Sequence, residues 1–115
     1  MIRVEFKYST DKREASLLVR GHAGQADVGQ DIVCASASIL AYTVAQIIKA
    51  MHSHNDLTEP PVIELESGNA TIMCQAKDDY LYAEVLHTFF VVQTGYALLA
   101  HNYPQYVDLI TDDKV

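Results

Sequence analysis

The sequence predicts an α+β domain in which two helices pack on one mainly antiparallel sheet. Three observations support this prediction: alternating apolar residues at positions 2–8, a helical apolar repeat from Val33 to Met51, and further alternation at positions 63–76. The expected order is strand, strand, helix, strand, strand, helix and a short final strand. Because the chain has 115 residues, of which 50% are hydrophobic, we expect residues 1–115 to form a single domain.

The first hairpin is visible in the alternation of apolar and polar residues in both of its strands. In the first strand the core-facing positions are Ile2, Val4, Phe6 and Tyr8. In the second strand, residues 14–21, the corresponding positions are Ala15, Leu17 and Val19. A polar turn at residues 9–12 joins the two strands.

A glycine-rich segment, residues 21–29, separates this hairpin from the first helix. It holds Gly21, Gly24 and Gly29 and has no apolar periodicity, so we expect a mobile loop. The helix that follows has apolar residues three or four positions apart: Val33, Ala37, Leu40, Val44, Ile47 and Met51. Asp27 or Asp31 can cap its start, and a cap at Asp31 leaves Cys34 at the third helical position, in the first turn.

The second half of the chain also predicts a hairpin followed by a helix. Ile63 and Leu65 alternate with glutamates, residues 67–69 have the composition of a turn, and alternation resumes over residues 70–76. A second helix begins at Asp78-Asp79 and runs to about residue 100, with the acids at its positive end. It is apolar nearly all round, so we expect burial on two sides, one of them in a homo-oligomer. Residues 106–110 predict a last strand.

Charge and cysteine content exclude several classes of protein. A formal net charge of −7 argues against direct binding of nucleic acid. Two cysteines give no disulfide framework, and the start of the chain does not have the pattern of a signal peptide, so we expect a cytoplasmic protein with free thiols. The uncharged stretches at residues 32–48 and 85–107 contain too many polar residues for membrane spans, so no membrane association is expected.

Cys34 and His22 are the residues best suited to catalysis. A thiol in the first turn of a helix is shifted towards the thiolate by the unpaired backbone N–H groups there, and those groups can also stabilise an oxyanion. An imidazole can take the thiol proton and return it to a leaving amine, and the chain between His22 and Cys34 is long enough to fold back. From the residues alone, Cys34 can equally be a small core residue and His22 a surface residue.

Two short motifs surround the glycine-rich segment: Gly-His-Ala at residues 21–23 and, five residues later, Gly29–Ala35 with Ser38 after it. Together they resemble the signature of the ribosomal-processing cysteine protease family called Prp. The resemblance covers essentially the whole chain. It implies a cysteine endopeptidase that removes the N-terminal extension of the bacterial large-subunit ribosomal protein L-twenty-seven during ribosome maturation. It also implies a catalytic dyad of Cys34 and His22, a loop between them that moves to admit substrate, and a homodimer.

Two further residues are supporting candidates. Asp31 has three interpretations: it caps the helix, it orients His22 as a third catalytic member, or it binds a substrate N–H. Ser38 lies one turn after Cys34, so its hydroxyl can form a hydrogen bond towards the site or back to its own helix.

The remaining histidines and the second cysteine do not predict a metal or cofactor site. His52 and His54 match no common zinc spacing, so no metal is expected, and nothing in the sequence calls for a cofactor. Cys74 lies on the inward face of its strand and is expected to be an inert core thiol. The alternative function is a non-catalytic ribosome-associated module that only grips a peptide; in both hypotheses the partner is a ribosomal protein precursor.

Overall fold

The structure is a computed structural model that describes residues 1–22 and 28–111; of residues 28–31 it describes the backbone only. Within these residues the elements follow the predicted order. They are β1 (Ile2–Ser9), β2 (Glu14–Arg20), α1 (Val28–Ser53), β3 (Val62–Glu66), β4 (Asn69–Gln75), α2 (Asp79–Asn102) and β5 (Val107–Thr111).

The strands form one sheet in the order β3-β4-β2-β1-β5. The pairs β1–β2, β2–β4 and β3–β4 are antiparallel, whereas β5 runs parallel to β1, with Ile2 opposite Val107. The prediction of a mainly antiparallel sheet is therefore confirmed, although the sheet is mixed. The parallel pair arises because α2 carries the chain across the sheet from β4 to the far side of β1, as a crossover connection requires.

The core lies between one face of the sheet and the two helices. All four predicted positions of β1 are buried there, and the ring centroid of Phe6 lies 6.5 Å from that of Phe89 and 5.8 Å from that of Tyr96. The predicted stripe of α1 is wrong at one position, since Ile47 is exposed, whereas Leu40 is half-buried and packs against the core. Three alanines among the core positions of α1 allow the helix to approach the sheet closely. The described core positions are Val33, Ala37, Ala41, Val44, Ala45, Ile48 and Met51.

Helix α1 begins earlier than the sequence predicts, at Val28. Gly29 and Asp31 therefore lie inside the helix, so the assignment of Gly29 to a mobile loop and of Asp31 to the helix cap are both wrong. Cys34 is the seventh helical residue rather than a member of the first turn. Of the side chains described in α1, Val33 is the first in the core, and Ile32 before it is 47% exposed. The sequence before Val33 has no apolar periodicity, so it does not indicate the earlier start. Gly24 and Asp27 lie outside the described residues.

Helix α2 starts as predicted: the side chain of Asp78 caps it and accepts a hydrogen bond of 2.8 Å from the backbone N–H of Leu81. One side of α2 packs on the sheet through Tyr82, Val85, Phe89, Val92, Tyr96 and Leu99. The other side exposes Tyr80, Phe90, Val91 and Leu98 to solvent in the single chain. Within the described residues, the second side of α2 that the sequence predicts to be buried therefore stays exposed.

The segments Ile32–Ser53 and Asp79–Asn102 are both long and apolar enough to cross a membrane by length and composition alone. Core helices of soluble proteins pass the same test. In this fold each of the two helices buries one face in the core described above.

Candidate active site

A cavity of about 290 Å³ lies where the end of β2, the β3–β4 turn and α1 meet. His22 lines it from the end of β2, and Cys34, Ser38 and Tyr42 line it from α1. The hairpin contributes residues 65–70, including the carboxylate-bearing Glu66. The cavity therefore brings together three of the residues that the sequence singles out, His22, Cys34 and Ser38.

The position of His22 follows from a backbone bend at Gly21, whose φ is +97°. The Gly21 N–H donates a hydrogen bond of 3.0 Å to the carbonyl of Gly68, and the carbonyl of His22 accepts one of 2.7 Å from the amine of Met1. A Cβ at Gly21 would lie 2.5 Å from the carbonyl oxygen of Met1, so a larger residue does not fit. Gly21 thus holds a specific bend that brings the histidine to the cavity.

Cys34 is a free, half-buried cysteine on the cavity wall. Along α1 it directly follows the buried Val33 and precedes Ser38, which also lines the cavity. Its distance from the helix start corrects one part of the sequence argument. The unpaired N–H groups of a helix belong to its first four residues, here 28–31, so the expected first-turn stabilisation of a thiolate and an oxyanion at Cys34 does not apply. Asp31 lies on α1 one turn before Cys34, and its side chain is outside the described part of the chain.

The second cysteine behaves differently. Cys74 is buried in β4, and burial raises the pKa of its thiol to about 12. It is therefore a protonated core residue at neutral pH, which confirms the predicted burial.

Sequence reasoning missed the part that the β3–β4 turn plays in this site. Residues 67–69 predict a turn, but nothing local indicates that Gly68 lies against the imidazole of His22. The side-chain oxygen of Asn69 is buried without a hydrogen-bond partner among the described residues, and Asn69 also lines the cavity. The described side chains, those of residues 1–22 and 32–111, include no group of three or more His, Cys, Asp or Glu that could hold a metal ion.

A half-buried thiol and an imidazole at one cavity are the groups that nucleophilic hydrolysis by a cysteine enzyme requires. The family model described as cysteine protease Prp matches residues 1–108. The chain belongs to this family and is a cysteine protease, which confirms the resemblance read from the sequence.

Solved structures show the same fold. The essential ribosomal processing protease Prp from S. aureus, in complex with a covalently linked product peptide, aligns with a TM-score of 0.68 and 21% identity over 97% of this chain and 100% of that one. The complex of the same S. aureus protease with a substrate peptide aligns with a TM-score of 0.67 and 18% identity, over 97% of this chain and 100% of that one. SMU.848 from Streptococcus mutans aligns with a TM-score of 0.67 and 25% identity, over 97% of this chain and 96% of that one. A comparison with curated proteins finds no match.

Proposed function

We propose that this chain is a cysteine endopeptidase that removes the N-terminal extension of the bacterial ribosomal protein L-twenty-seven, with Cys34 as nucleophile and His22 as general base and acid. The observation that carries the proposal is that these two residues, one after a strand and one on a helix, line the same cavity. The S. aureus relative, a ribosomal processing protease, binds a substrate peptide in one structure and is covalently linked to a product peptide in another.

The proposed reaction has two halves. His22 takes the proton of the Cys34 thiol while the sulfur attacks the carbonyl carbon of the scissile peptide bond. The tetrahedral intermediate collapses when the imidazolium gives that proton to the leaving amine, which leaves a thioester on Cys34. In the second half His22 takes a proton from water, the hydroxide attacks the thioester, and the thiol is regenerated with release of the N-terminal fragment.

The walls of the cavity suit a peptide with an apolar side chain beside the scissile bond. Ile2, Ala41 and Leu65 provide apolar surface, and the volume of about 290 Å³ is enough for a large side chain. Ser38, one turn after Cys34, is positioned to hydrogen-bond the substrate, and Asp31, one turn before it, remains a supporting residue that orients His22 or binds a substrate N–H.

We further propose that the protein is a cytoplasmic homodimer. The apolar side of α2 that the single chain leaves exposed supports this, with Val91 at 72% and Leu98 at 60% exposure. Sedimentation equilibrium should give the mass of two chains, and Val91→Asp should shift the population towards one chain. A wild-type mass of one chain at high concentration would contradict the homodimer.

The central experiment compares Cys34→Ala and His22→Ala with the wild type on a peptide that spans the extension and on the full-length precursor. Each variant should lower kcat/KM by about 10³-fold or more, because the nucleophile or its base is lost. Cys74→Ala is the matched control, since it removes the other thiol, and it should retain cleavage. Mass spectrometry of the products and circular dichroism of the variants separate lost chemistry from lost folding.

Full activity in Cys34→Ala would overturn the proposal. The alternative, a module that binds the peptide without cutting it, predicts intact peptide in a saturated complex with the wild type. The membership of a cysteine protease family favours cleavage.

A further inference from the structure

Gly68, in the turn between β3 and β4, lies directly under the imidazole of His22. A Cβ built on Gly68 would lie 2.7 Å from Cε1 and 3.2 Å from Cδ2 of that ring, and closer still to Nε2. Ordinary contacts between carbon atoms are about 3.5–4.0 Å. The ring therefore occupies the space that a side chain at position 68 would fill.

The same turn also fixes the backbone that carries the ring. The carbonyl of Gly68 accepts the hydrogen bond from the N–H of Gly21, the residue before His22. His22 itself is exposed, and among the described residues the turn at Gly68 lies against its ring. This contact restrains the two side-chain torsions of His22.

We propose that Gly68 is a positioning residue of the active site: its lack of a side chain lets the His22 imidazole rest on the turn backbone in the orientation that serves Cys34. The inference rests on the proposed role of His22 as the base. It assigns a catalytic consequence to a turn residue that acts only through the His22 ring, against which it lies.

Gly68 meets two separate requirements, and they can be tested apart. Its φ of +75° is a left-handed conformation that most L-residues rarely adopt but that asparagine tolerates. The close approach of the ring is a second requirement, which every L-residue violates through its Cβ. Gly68→Ala fails both requirements, Gly68→Asn satisfies the first alone, and D-alanine satisfies both because its methyl group points away from the imidazole.

The recombinant variants give the first test. Gly68→Ala and Gly68→Asn should both lower kcat/KM by about 10- to 100-fold, since a ring displaced by about 1 Å is out of position for proton transfer. Gly68→Asn should have the higher melting temperature of the two. A role in turn stability alone predicts the opposite pattern, in which Gly68→Asn recovers activity together with stability, and that pattern would overturn the inference.

The pH dependence of Cys34 alkylation by iodoacetamide is the readout that a purely structural role does not move. Among the described residues that line the cavity, the other titratable side chains are Tyr42 and Glu66, and the amine of Met1 lies nearby on the His22 carbonyl; all three groups remain in every variant. In Gly68→Ala and Gly68→Asn the profile should shift to that of His22→Ala, which lacks the imidazole. An unchanged wild-type profile in both variants would refute the inference.

Replacement of Gly68 by D-alanine is the rescue. The chain can be assembled from three synthetic segments joined at Cys34 and Cys74, so that position 68 lies in the middle segment. The D-alanine protein should recover the activity and alkylation profile of the synthetic wild type, whereas the synthetic L-alanine protein should not. Equal loss in both proteins would show that the imidazole contact is not the cause.

Gly95→Ala is the matched control. A Cβ at Gly95 would lie 2.7 Å from a side-chain carbon of Leu40, so it meets a similar crowding away from the cavity. It should change stability without changing the alkylation profile. If His22→Ala is inactive while Gly68→Ala is fully active, the inference about Gly68 fails and the proposed function stands; if His22→Ala is active, the proposed function fails.

Discussion

The hydroxyl of Tyr96 donates a buried hydrogen bond of 2.7 Å to the backbone carbonyl of Ala37. Ala37 lies three residues after Cys34 and lines the same cavity, so this bond joins α2 to the wall that carries the proposed nucleophile. Burial raises the pKa of Tyr96, so the hydroxyl remains a donor well into the alkaline range. The core of the protein and the geometry of the site are linked at this point.

Tyr96→Phe should therefore affect both stability and catalysis. Loss of the hydrogen bond should lower the free energy of unfolding by about 1 kcal/mol, because a neutral hydrogen bond contributes about that much net. A small shift of α1 beside Cys34 should lower kcat/KM by about two- to fivefold. Urea denaturation and peptide cleavage measure the two effects.

Tyr82→Phe is the matched control for this prediction. The Tyr82 hydroxyl donates to the carbonyl of Glu14 at 2.9 Å, at the opposite end of β2 from His22. It should cost a similar free energy of unfolding and leave kcat/KM unchanged. If both variants lose activity equally, the link between Tyr96 and the site is wrong.

The two cysteines should react very differently with alkylating reagents. Cys34 opens onto the cavity, whereas Cys74 is 6% exposed and its pKa is raised to about 12 by burial. Iodoacetamide at neutral pH should add one group to the folded wild type, none to folded Cys34→Ala, and two to the urea-unfolded wild type, as measured by intact mass. Rapid addition of a group to folded Cys34→Ala would contradict the buried position of Cys74.

The strands were more predictable than the start of α1, for a physical reason. Successive side chains of a strand point to opposite faces of the sheet, so the alternation of apolar and polar residues shows which face of β1 is buried. Its apolar residues Ile2, Val4, Phe6 and Tyr8 are all buried as expected. The start of a helix is recognised in the sequence by apolar residues three or four positions apart, and in α1 that spacing begins only at Val33, five residues after the helix starts.

The sequence singles out His22 and Cys34, which line one cavity, but it does not indicate the contacts that support them. The motif contains both His22 and Cys34. The contact of the His22 ring with Gly68, however, depends on the β2–β4 register, in which Arg20 pairs with Asn69. That register brings the turn at Gly68 beside the end of β2. Because it is set by long-range packing of the sheet, the local sequence at residues 67–69 predicts a turn without predicting its contact.

Cys74 should make the protein less stable at alkaline pH. The folded thiol, with its pKa near 12, stays protonated above the ordinary value of 9.0, whereas the unfolded thiol ionises. The unfolded state then binds fewer protons, so stability present below pH 9 is lost as the pH rises towards 12. Between about pH 9 and pH 10 the loss should be about 1 kcal/mol.

Cys74→Val isolates this effect, because valine suits a buried strand position and does not titrate. Urea denaturation at several pH values should show the variant losing about 1 kcal/mol less than the wild type between about pH 9 and pH 10. Tyr82 and Tyr96, whose pKa values are also raised by burial, add their own losses only above their ordinary value of 10.0. Parallel curves for the two proteins would contradict the alkaline role of Cys74.

The acidic charge of the chain should steer a basic substrate to the site. The net charge is −7, and Glu66 lies on the cavity wall. Ribosomal proteins are basic because they bind RNA, so kcat/KM on the full-length precursor should fall by roughly tenfold between about 50 and about 300 mM salt. Cleavage of a short, uncharged extension peptide should change little over the same range.

Glu66→Gln should weaken the salt dependence, whereas Glu84→Gln, on the exposed surface of α2, should not. A flat response of the precursor to salt would refute the steering.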